Sequence, residues 1–155
     1  MTTFLHQRKR SEDSLSDEYE TPDRIVKKLS KLYNIKPEMD VACNDENCKT
    51  PYRLPRGDSL LYQWSNAYKS DVWCNPPHSL TKEFVLKADD VWKKENLNIM
   101  MIIPANSITT KYFEKVIDNV EIHPIFGRIT FLVDKKPSSY PARNGYFCVI
   151  WRKTY

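Results

Sequence analysis

The spacing of apolar and polar residues predicts three helices between short strands. The first begins near Thr21, where a hydroxyl can cap, Pro22 fits the first turn and Asp23 suits the positive end of the helix dipole. Its apolar residues recur at helical spacing and define the predicted inward face: Ile25, Val26, Leu29, Leu32 and Tyr33.

The second helix is predicted to start at a cap supplied by Ser79 or Thr81. Its apolar stripe is Leu80, Phe84, Val85, Ala88, Val91 and Trp92. A third helix is predicted over 110–118, with inward residues Tyr112, Phe113, Val116 and Ile117. Residues 59–64 are only weakly helical in pattern.

Short apolar runs predict strands at 39–43, 71–74, 97–103, 120–125, 129–133 and 146–151. The continuous run at 97–103 suits a strand covered on both faces. Residues 44–55 are expected to form a loop with a short element near Tyr52, and 134–145 a loop rich in Pro, Ser and Lys. Alternation followed by a terminal run of strands predicts an α/β sheet with antiparallel strands at the C-terminal end.

Composition fits one folded domain, predicted to span residues 19–155, after a polar and disordered arm over 1–18. Three Gly residues argue against a glycine-rich phosphate loop. The longest apolar run, at 99–104, is too short to span a bilayer, and the N-terminus lacks the apolar core of a secretory signal. We therefore expect no membrane partner. The net charge of +4 permits an anionic partner without demanding one.

The four cysteines, at positions 43, 48, 74 and 148, lack the spacing of common zinc ligands, and we predict no metal site. Cys74 and Cys148 fall in strand-like runs, where reduced core thiols are the usual outcome. Unpaired thiols without a signal peptide predict an intracellular protein.

The sequence Asn75-Pro76-Pro77-His78 follows the strand at 71–74 and is the strongest candidate for chemistry. The side-chain oxygen of Asn75 and the carbonyl of Pro76 can both accept hydrogen bonds from a planar NH2 group. Two such acceptors would localise the nitrogen lone pair and make it a better nucleophile. Proline adds rigidity without a competing donor, and His78 could stack on a flat ring. The alternative, a simple turn after a strand, has about equal weight on these residues alone.

Several stretches in order resemble the phage-type DNA N6-adenine methyltransferases, a compact branch of the S-adenosylmethionine-dependent methyltransferases. The matching segments run from about residue 18 to the C-terminus. They are Glu18-Tyr19-Glu20-Thr21-Pro22, Asp40-Val41-Ala42-Cys43-Asn44, 47–52, Gly57-Asp58-Ser59-Leu60 with Trp64, Val72-Trp73-Cys74-Asn75-Pro76-Pro77, Ile103-Pro104-Ala105 and Gly127-Arg128-Ile129-Thr130-Phe131.

This resemblance implies a Rossmann-like methyltransferase sheet and S-adenosylmethionine as cofactor. It assigns Asn75, Pro76, Pro77 and His78 to adenine activation, although His78 departs from the more usual Tyr. It assigns the cofactor to Tyr19, Thr21, Pro22, Asp40, Ala42, Asp58 and Asn75. Asp40 would lie near the methionine or ribose part, and Asp58 would accept from the cofactor's adenine amino group. Asp40 could instead be a solvated strand end, and Asp58 a turn residue.

The resemblance makes DNA the expected partner, and a target base in a duplex would have to be flipped out. Candidate contacts are Arg8, Lys9, Arg10, Arg56, Arg128, Lys135, Lys136 and Arg143. Each could equally be a solvated surface residue. The chain has no room for a separate recognition domain, so specificity is expected to be low or to need a homodimer or a second subunit. The implied setting is a virus or phage, with the protein in the host cytoplasm, or in the nucleus of a eukaryotic host.

Three alternatives remain open at this point. The same motif serves enzymes that methylate RNA adenine or protein glutamine amides. A third possibility is an inactive methyltransferase fold that binds nucleic acid or a partner subunit.

Overall fold

A computed structural model describes residues 17–43, 47–66, 69–138 and 141–155, and its centre is a six-stranded mixed sheet. The strands are β1 (Pro37–Cys43), β2 (Tyr52–Pro55), β3 (Asp71–Cys74), β4 (Ile99–Pro104), β5 (Glu121–Ile125) and β8 (Tyr146–Trp151), in the order β2-β1-β3-β4-β8-β5. β2, β1, β3 and β4 are parallel to one another, and β8 runs antiparallel to both neighbours. The predicted α/β class and the antiparallel terminal strand are confirmed.

Two helices cover opposite faces of this sheet, which explains the unbroken apolar run in β4. Ile99, Met101 and Ile103 pack in the cluster that contains residues of helix α3 (Thr81–Glu95). Met100 and Ile102 pack in the cluster that contains residues of helix α1 (Asp23–Tyr33). Successive strand side chains point to opposite faces, so a strand covered on both faces must be apolar throughout.

The predicted helices differ from the structure mainly at their ends. Helix α1 begins at Asp23 with Pro22 at its N-cap and without a side-chain capping bond, so the predicted cap by Thr21 is wrong. Leu32 is 60% exposed rather than inward, because it lies beyond the stripe of Ile25, Val26 and Leu29 that contacts the sheet. Helix α3 has Leu80 at its N-cap and no side-chain cap, so the predicted cap by Ser79 or Thr81 is also wrong.

Short local elements replace two of the longer predicted ones. The weak helix predicted over 59–64 is instead α2 (Arg56–Ser59). The third predicted helix divides into α4 (Lys111–Glu114) and a 3-10 turn at Ile117–Asn119, which leaves Ile117 42% exposed.

The strand predicted over 129–133 does not join the main sheet. Only β6 (Leu132–Val133) is strand, paired with β7 (Lys136–Pro137) in a small separate hairpin. Ile129 and Phe131 instead bury their side chains beside α1. Their apolar pattern therefore reflects packing of an irregular segment rather than a sheet strand.

The prediction that all four cysteines are unpaired is wrong for Cys43 and Cys48, which form a disulfide. Their separation of five positions is not a common ligand or redox spacing, so the sequence offered no signal for the pairing. Cys74 and Cys148 are free and buried, as predicted. Only Cys74 and Cys148 therefore still support the prediction of an intracellular protein that was based on unpaired thiols.

Among the described residues, no helix is long and apolar enough to cross a membrane. Most of the predicted disordered arm lies outside the described residues. Its last two residues, Asp17 and Glu18, belong to a described turn.

Candidate active site

The order of the strands locates a cleft at one end of the sheet, where the parallel strands have their carboxyl ends. After β1 the chain adds β2 on one side, and β3 then pairs with the other side of β1. Ligands of open α/β sheets bind at such a reversal, beyond the carboxyl ends of the strands. A small cleft lies there, and its lining includes Tyr19, Thr21, Asp40, Ala42, Lys49 and Asn75. The structure thus brings together five of the residues predicted to hold a cofactor, with Lys49 as an addition.

The side chain of Asn75 is held in one orientation by the segment before α1. Its Nδ2 donates a hydrogen bond of 3.1 Å to the backbone carbonyl of Tyr19. A carbonyl oxygen cannot donate, so the NH2 end of the amide must face Tyr19 and Oδ1 must point elsewhere. Asn75 is half-buried and is one of the residues that line the cleft.

The residues after Asn75 form a rigid connection into α3. Pro76 and Pro77 are buried, and the carbonyl of Pro77 accepts from the backbone N–H of Leu80 at 2.8 Å. His78 is half-buried and begins a 3-10 turn, and its carbonyl accepts from the hydroxyl of Thr81. The His78 Nδ1 atom is buried and has no hydrogen-bond partner among the described residues.

Asp17 ties the N-terminal segment to the turn that carries His78. Its two carboxylate oxygens accept hydrogen bonds from the backbone N–H of Ser79 at 2.8 Å and from the hydroxyl of Ser79 at 2.6 Å. This contact has no local signal in the sequence, because 62 positions separate the two residues.

Thr21 supplies a buried hydroxyl to the same cleft. The residue is 1% exposed, and its Oγ1 has no hydrogen-bond partner within the described ranges. A buried hydroxyl without a partner costs free energy, so such atoms in a cleft suit a polar ligand group.

Asp40 links the end of β1 to the segment that contains Lys49 through its buried carboxylate. Oδ1 accepts from the backbone N–H of Ala42 at 3.1 Å, and Oδ2 from that of Lys49 at 3.0 Å. Asp40 is therefore not a solvated strand end, since it is 3% exposed. Its contacts hold together the two chain segments that line the cleft on this side.

Lys49 was not among the residues predicted to hold the cofactor, although it joins three parts of the site. Its ammonium, on a side chain that is 7% exposed, contacts the carboxylates of Glu20 at 2.6 Å and Asp23 at 2.9 Å. The hydrogen bond and charge of Lys49 hold the pKa of Asp23 below its usual value. An isolated Lys in a polar loop gives no sequence signal for such a position.

Tyr19 is held in an aromatic stack. Its ring lies parallel to that of Phe131, with centroids 4.9 Å apart, and Phe131 meets Tyr146 edge-on at 5.0 Å. Burial raises the pKa of Tyr146 to about 12, so this residue stays neutral at physiological pH. Glu20 adds a backbone bridge to Leu132. The segment 129–133, predicted as a strand, thus serves to position Tyr19.

Other predicted residues lie outside this cleft. Asp58 is exposed in α2, at the same end of the sheet but beyond β2. Pro22 forms the N-cap of α1. Arg128, Lys135, Lys136 and Arg143 are exposed along the segment that follows β5. Arg8, Lys9 and Arg10, and the side chain of Arg56, lie outside the described part of the chain.

Comparison with known proteins identifies the family. The profile described as DNA N-6-adenine-methyltransferase (Dam) matches residues 8–155. This chain belongs to that family. The predicted resemblance is therefore confirmed, over most of the chain.

Two curated proteins of phages are similar to the chain. A DNA N-6-adenine-methyltransferase of Escherichia phage T1 is 30% identical over 142 residues, which cover 92% of this chain and 57% of the relative. A protein of the same name from Haemophilus phage HP1 is 26% identical over 119 residues, covering 75% of this chain and 66% of the relative. The chain thus matches between about half and two thirds of the length of these relatives.

Proposed function

We propose that this chain transfers a methyl group from S-adenosylmethionine to the N6 nitrogen of adenine in DNA. The observation that carries the proposal is the orientation of Asn75, whose NH2 donates a hydrogen bond to the carbonyl of Tyr19. Both residues line the cleft. Both curated relatives bear the name of this activity. The strand order, with its reversal between β1 and β3, supports a Rossmann-like methyltransferase sheet.

In this proposal Asn75 Oδ1 and the carbonyl of Pro76 accept the two hydrogens of the adenine amino group. These hydrogen bonds draw the nitrogen away from conjugation with the ring, so that its lone pair can attack. Pro77 fixes the backbone, and the His78 ring stacks on the base. The nitrogen loses one proton to solvent once it carries the methyl group.

The residues of the cleft fit a cofactor with charged and hydroxyl groups. The Thr21 hydroxyl, which has no hydrogen-bond partner among the described residues, is available for a carboxylate or hydroxyl. Tyr19, Asp40 and Ala42 line the same space, and Asp58 is the more distant candidate for an adenine amino group. When bound, S-adenosylmethionine supplies an activated methyl on a sulfonium, so no strong base is required.

DNA is the proposed substrate, and basic residues in the segment after β5 are the proposed phosphate contacts. Arg128, Lys135, Lys136 and Arg143 follow the strand β5, whose end lies at the same end of the sheet as Asn75. Phosphate contacts of this kind provide affinity without sequence information. The target adenine would leave the stack at a cost of a few kcal/mol, or be single-stranded already.

The decisive experiment is mass spectrometry of nucleosides from unmethylated mixed-sequence DNA incubated with protein and S-adenosylmethionine. N6-methyladenine is expected with the wild type and not with Asn75→Ala under single-turnover conditions. Asn119→Ala is the matched control, because Asn119 bonds Asp89 far from the cleft. An Asn75→Ala variant as active as the wild type contradicts the proposal.

Parallel reactions with RNA and with protein acceptors separate the alternative substrates. Calorimetry with S-adenosylmethionine separates the enzyme from an inactive binding subunit, which would show no cofactor binding at millimolar concentration.

A further inference from the structure

Among the described residues, Phe126 is the most exposed apolar residue at the end of the sheet that carries the candidate active site. It follows directly after β5, and the residue is 89% exposed. Gly127 then adopts a positive φ of 82°, a conformation that glycine allows at little cost and that turns the chain sharply. The segment is anchored immediately afterwards, because Ile129 is buried and its carbonyl accepts from the backbone N–H of Ala142.

The register of the sheet locates Phe126 relative to Asn75. Ile125 pairs with Tyr146, which pairs with Pro104 at the end of β4. Since β4 and β5 both run antiparallel to β8, the end of β5 lies at the same end of the sheet as the end of β3. Three strand spacings separate β3 from β5 in the strand order. At 4.7–4.9 Å per spacing, these two strands lie about 14 Å apart, and Phe126 lies about three residues further along the strand direction than Asn75.

Charge accompanies this aromatic residue. Arg128 is exposed two positions later, and its Nη1 would lie 3.8 Å from a Cβ added at Gly145, which places the guanidinium beside the start of β8. Leu61 and Tyr62 are also exposed at this end of the sheet, but they follow α2 beyond β2, the outermost strand on the side away from β5. Leu32 is exposed in the last turn of α1 and Tyr155 after the end of β8, and both therefore lie toward the opposite end of the sheet.

We propose that Phe126 stacks on an unpaired base face of the DNA beside the target adenine, with Arg128 at an adjoining phosphate. The inference rests on the proposed function and names a substrate contact for it. This separation leaves room for a flipped adenine at Asn75 while Phe126 contacts a base that stays in the strand. Flipping a base exposes the faces of its neighbours, and an aromatic side chain can cover them.

The test measures affinity for labelled mixed-sequence DNA by fluorescence anisotropy, without cofactor, over a range of salt concentrations. Phe126→Ala is expected to weaken binding about tenfold, the size of one base–aromatic stack, with an unchanged salt slope. Phe126→Trp should bind like the wild type. Arg128→Ala should instead reduce the salt slope by about one phosphate contact. Tyr155→Ala is the matched control, an exposed aromatic with Lys153 beside its ring at the opposite end.

Binding by Phe126→Ala within twofold of the wild type would overturn the inference, and so would the absence of DNA binding by the wild type at low salt. Sedimentation checks the other possible occupant of this surface. A wild-type dimer that Phe126→Ala dissociates without loss of DNA affinity would assign Phe126 to self-association instead. If the wild type binds DNA through Phe126 but forms no N6-methyladenine, only the proposed function fails.

Discussion

The side-chain amide of Asn75 donates to the backbone carbonyl of Tyr19, a residue 56 positions earlier in the chain. The contact makes the geometry of the candidate catalytic residue depend on the segment before α1. That segment is itself held by Asp17 at Ser79, by Lys49 at Glu20, and by the stack of Tyr19 on Phe131. Positioning of Asn75 therefore extends well beyond the tetrapeptide that contains it.

The substitution Asn75→Asp separates the acceptor role of this residue from its orientation. A carboxylate can still accept from an amino group, but it cannot donate to the carbonyl of Tyr19. Loss of one such hydrogen bond costs about 1 kcal/mol, so the single-turnover methylation rate should fall about fivefold. Asn75→Ala, which lacks the acceptor as well, should lose activity completely. An Asp variant with the wild-type rate would show that the bond to Tyr19 does not matter.

Phe131 should affect activity through Tyr19 and not only through stability. Phe131→Leu removes the ring that stacks on Tyr19, and we expect a lower methylation rate per folded molecule. Phe113→Leu is the matched control, because Phe113 is equally buried but belongs to the cluster on the other face of the sheet. Both changes should lower the free energy of unfolding by about 1–3 kcal/mol.

Denaturant unfolding measures the stability of the two Phe variants, and nucleoside mass spectrometry measures their rates. Equal losses of rate per folded molecule in both variants would contradict a positioning role for Phe131.

The sequence predicted those parts of the fold that follow from local pattern. The strand β4 was recognisable because both of its faces are covered, which requires an unbroken apolar run. Asn75-Pro76-Pro77 was singled out because two adjacent acceptors suit a planar amine, and its catalytic role stays a prediction. Lys49 and Asp17 were missed because their roles arise from partners 26 to 62 positions away. The apolar pattern at 129–133 was misassigned because a buried irregular segment and a buried strand look alike in sequence.

Titration of thiols checks the corrected state of the cysteines. Denatured and unreduced protein should show two reactive thiols, from Cys74 and Cys148, and four after reduction. The native protein should react slowly at both, since each is buried and burial raises the pKa of Cys148 to about 12. Four thiols without reductant would contradict the disulfide.

The same disulfide should stabilise the loop that lines the cleft. Closing a loop between Cys43 and Cys48, five positions apart, removes chain entropy worth about 2 kcal/mol in the unfolded state. Cys43→Ser and Cys48→Ser should therefore unfold at lower denaturant concentration than the oxidised wild type. Reduced wild type is the control, and it should behave like the two variants.

The hydroxyl of Thr21 gives a prediction in which stability and affinity change in opposite directions. Thr21→Val keeps the shape of the side chain but removes a buried oxygen that has no partner among the described residues. The free energy of unfolding without cofactor should rise by about 1 kcal/mol, because a desolvated hydroxyl is lost. Affinity for S-adenosylmethionine, measured by calorimetry, should fall about tenfold if the hydroxyl bonds the cofactor. Thr21→Ser retains the oxygen and should keep the affinity, so a Val variant that binds as tightly as the wild type would remove Thr21 from the cofactor site.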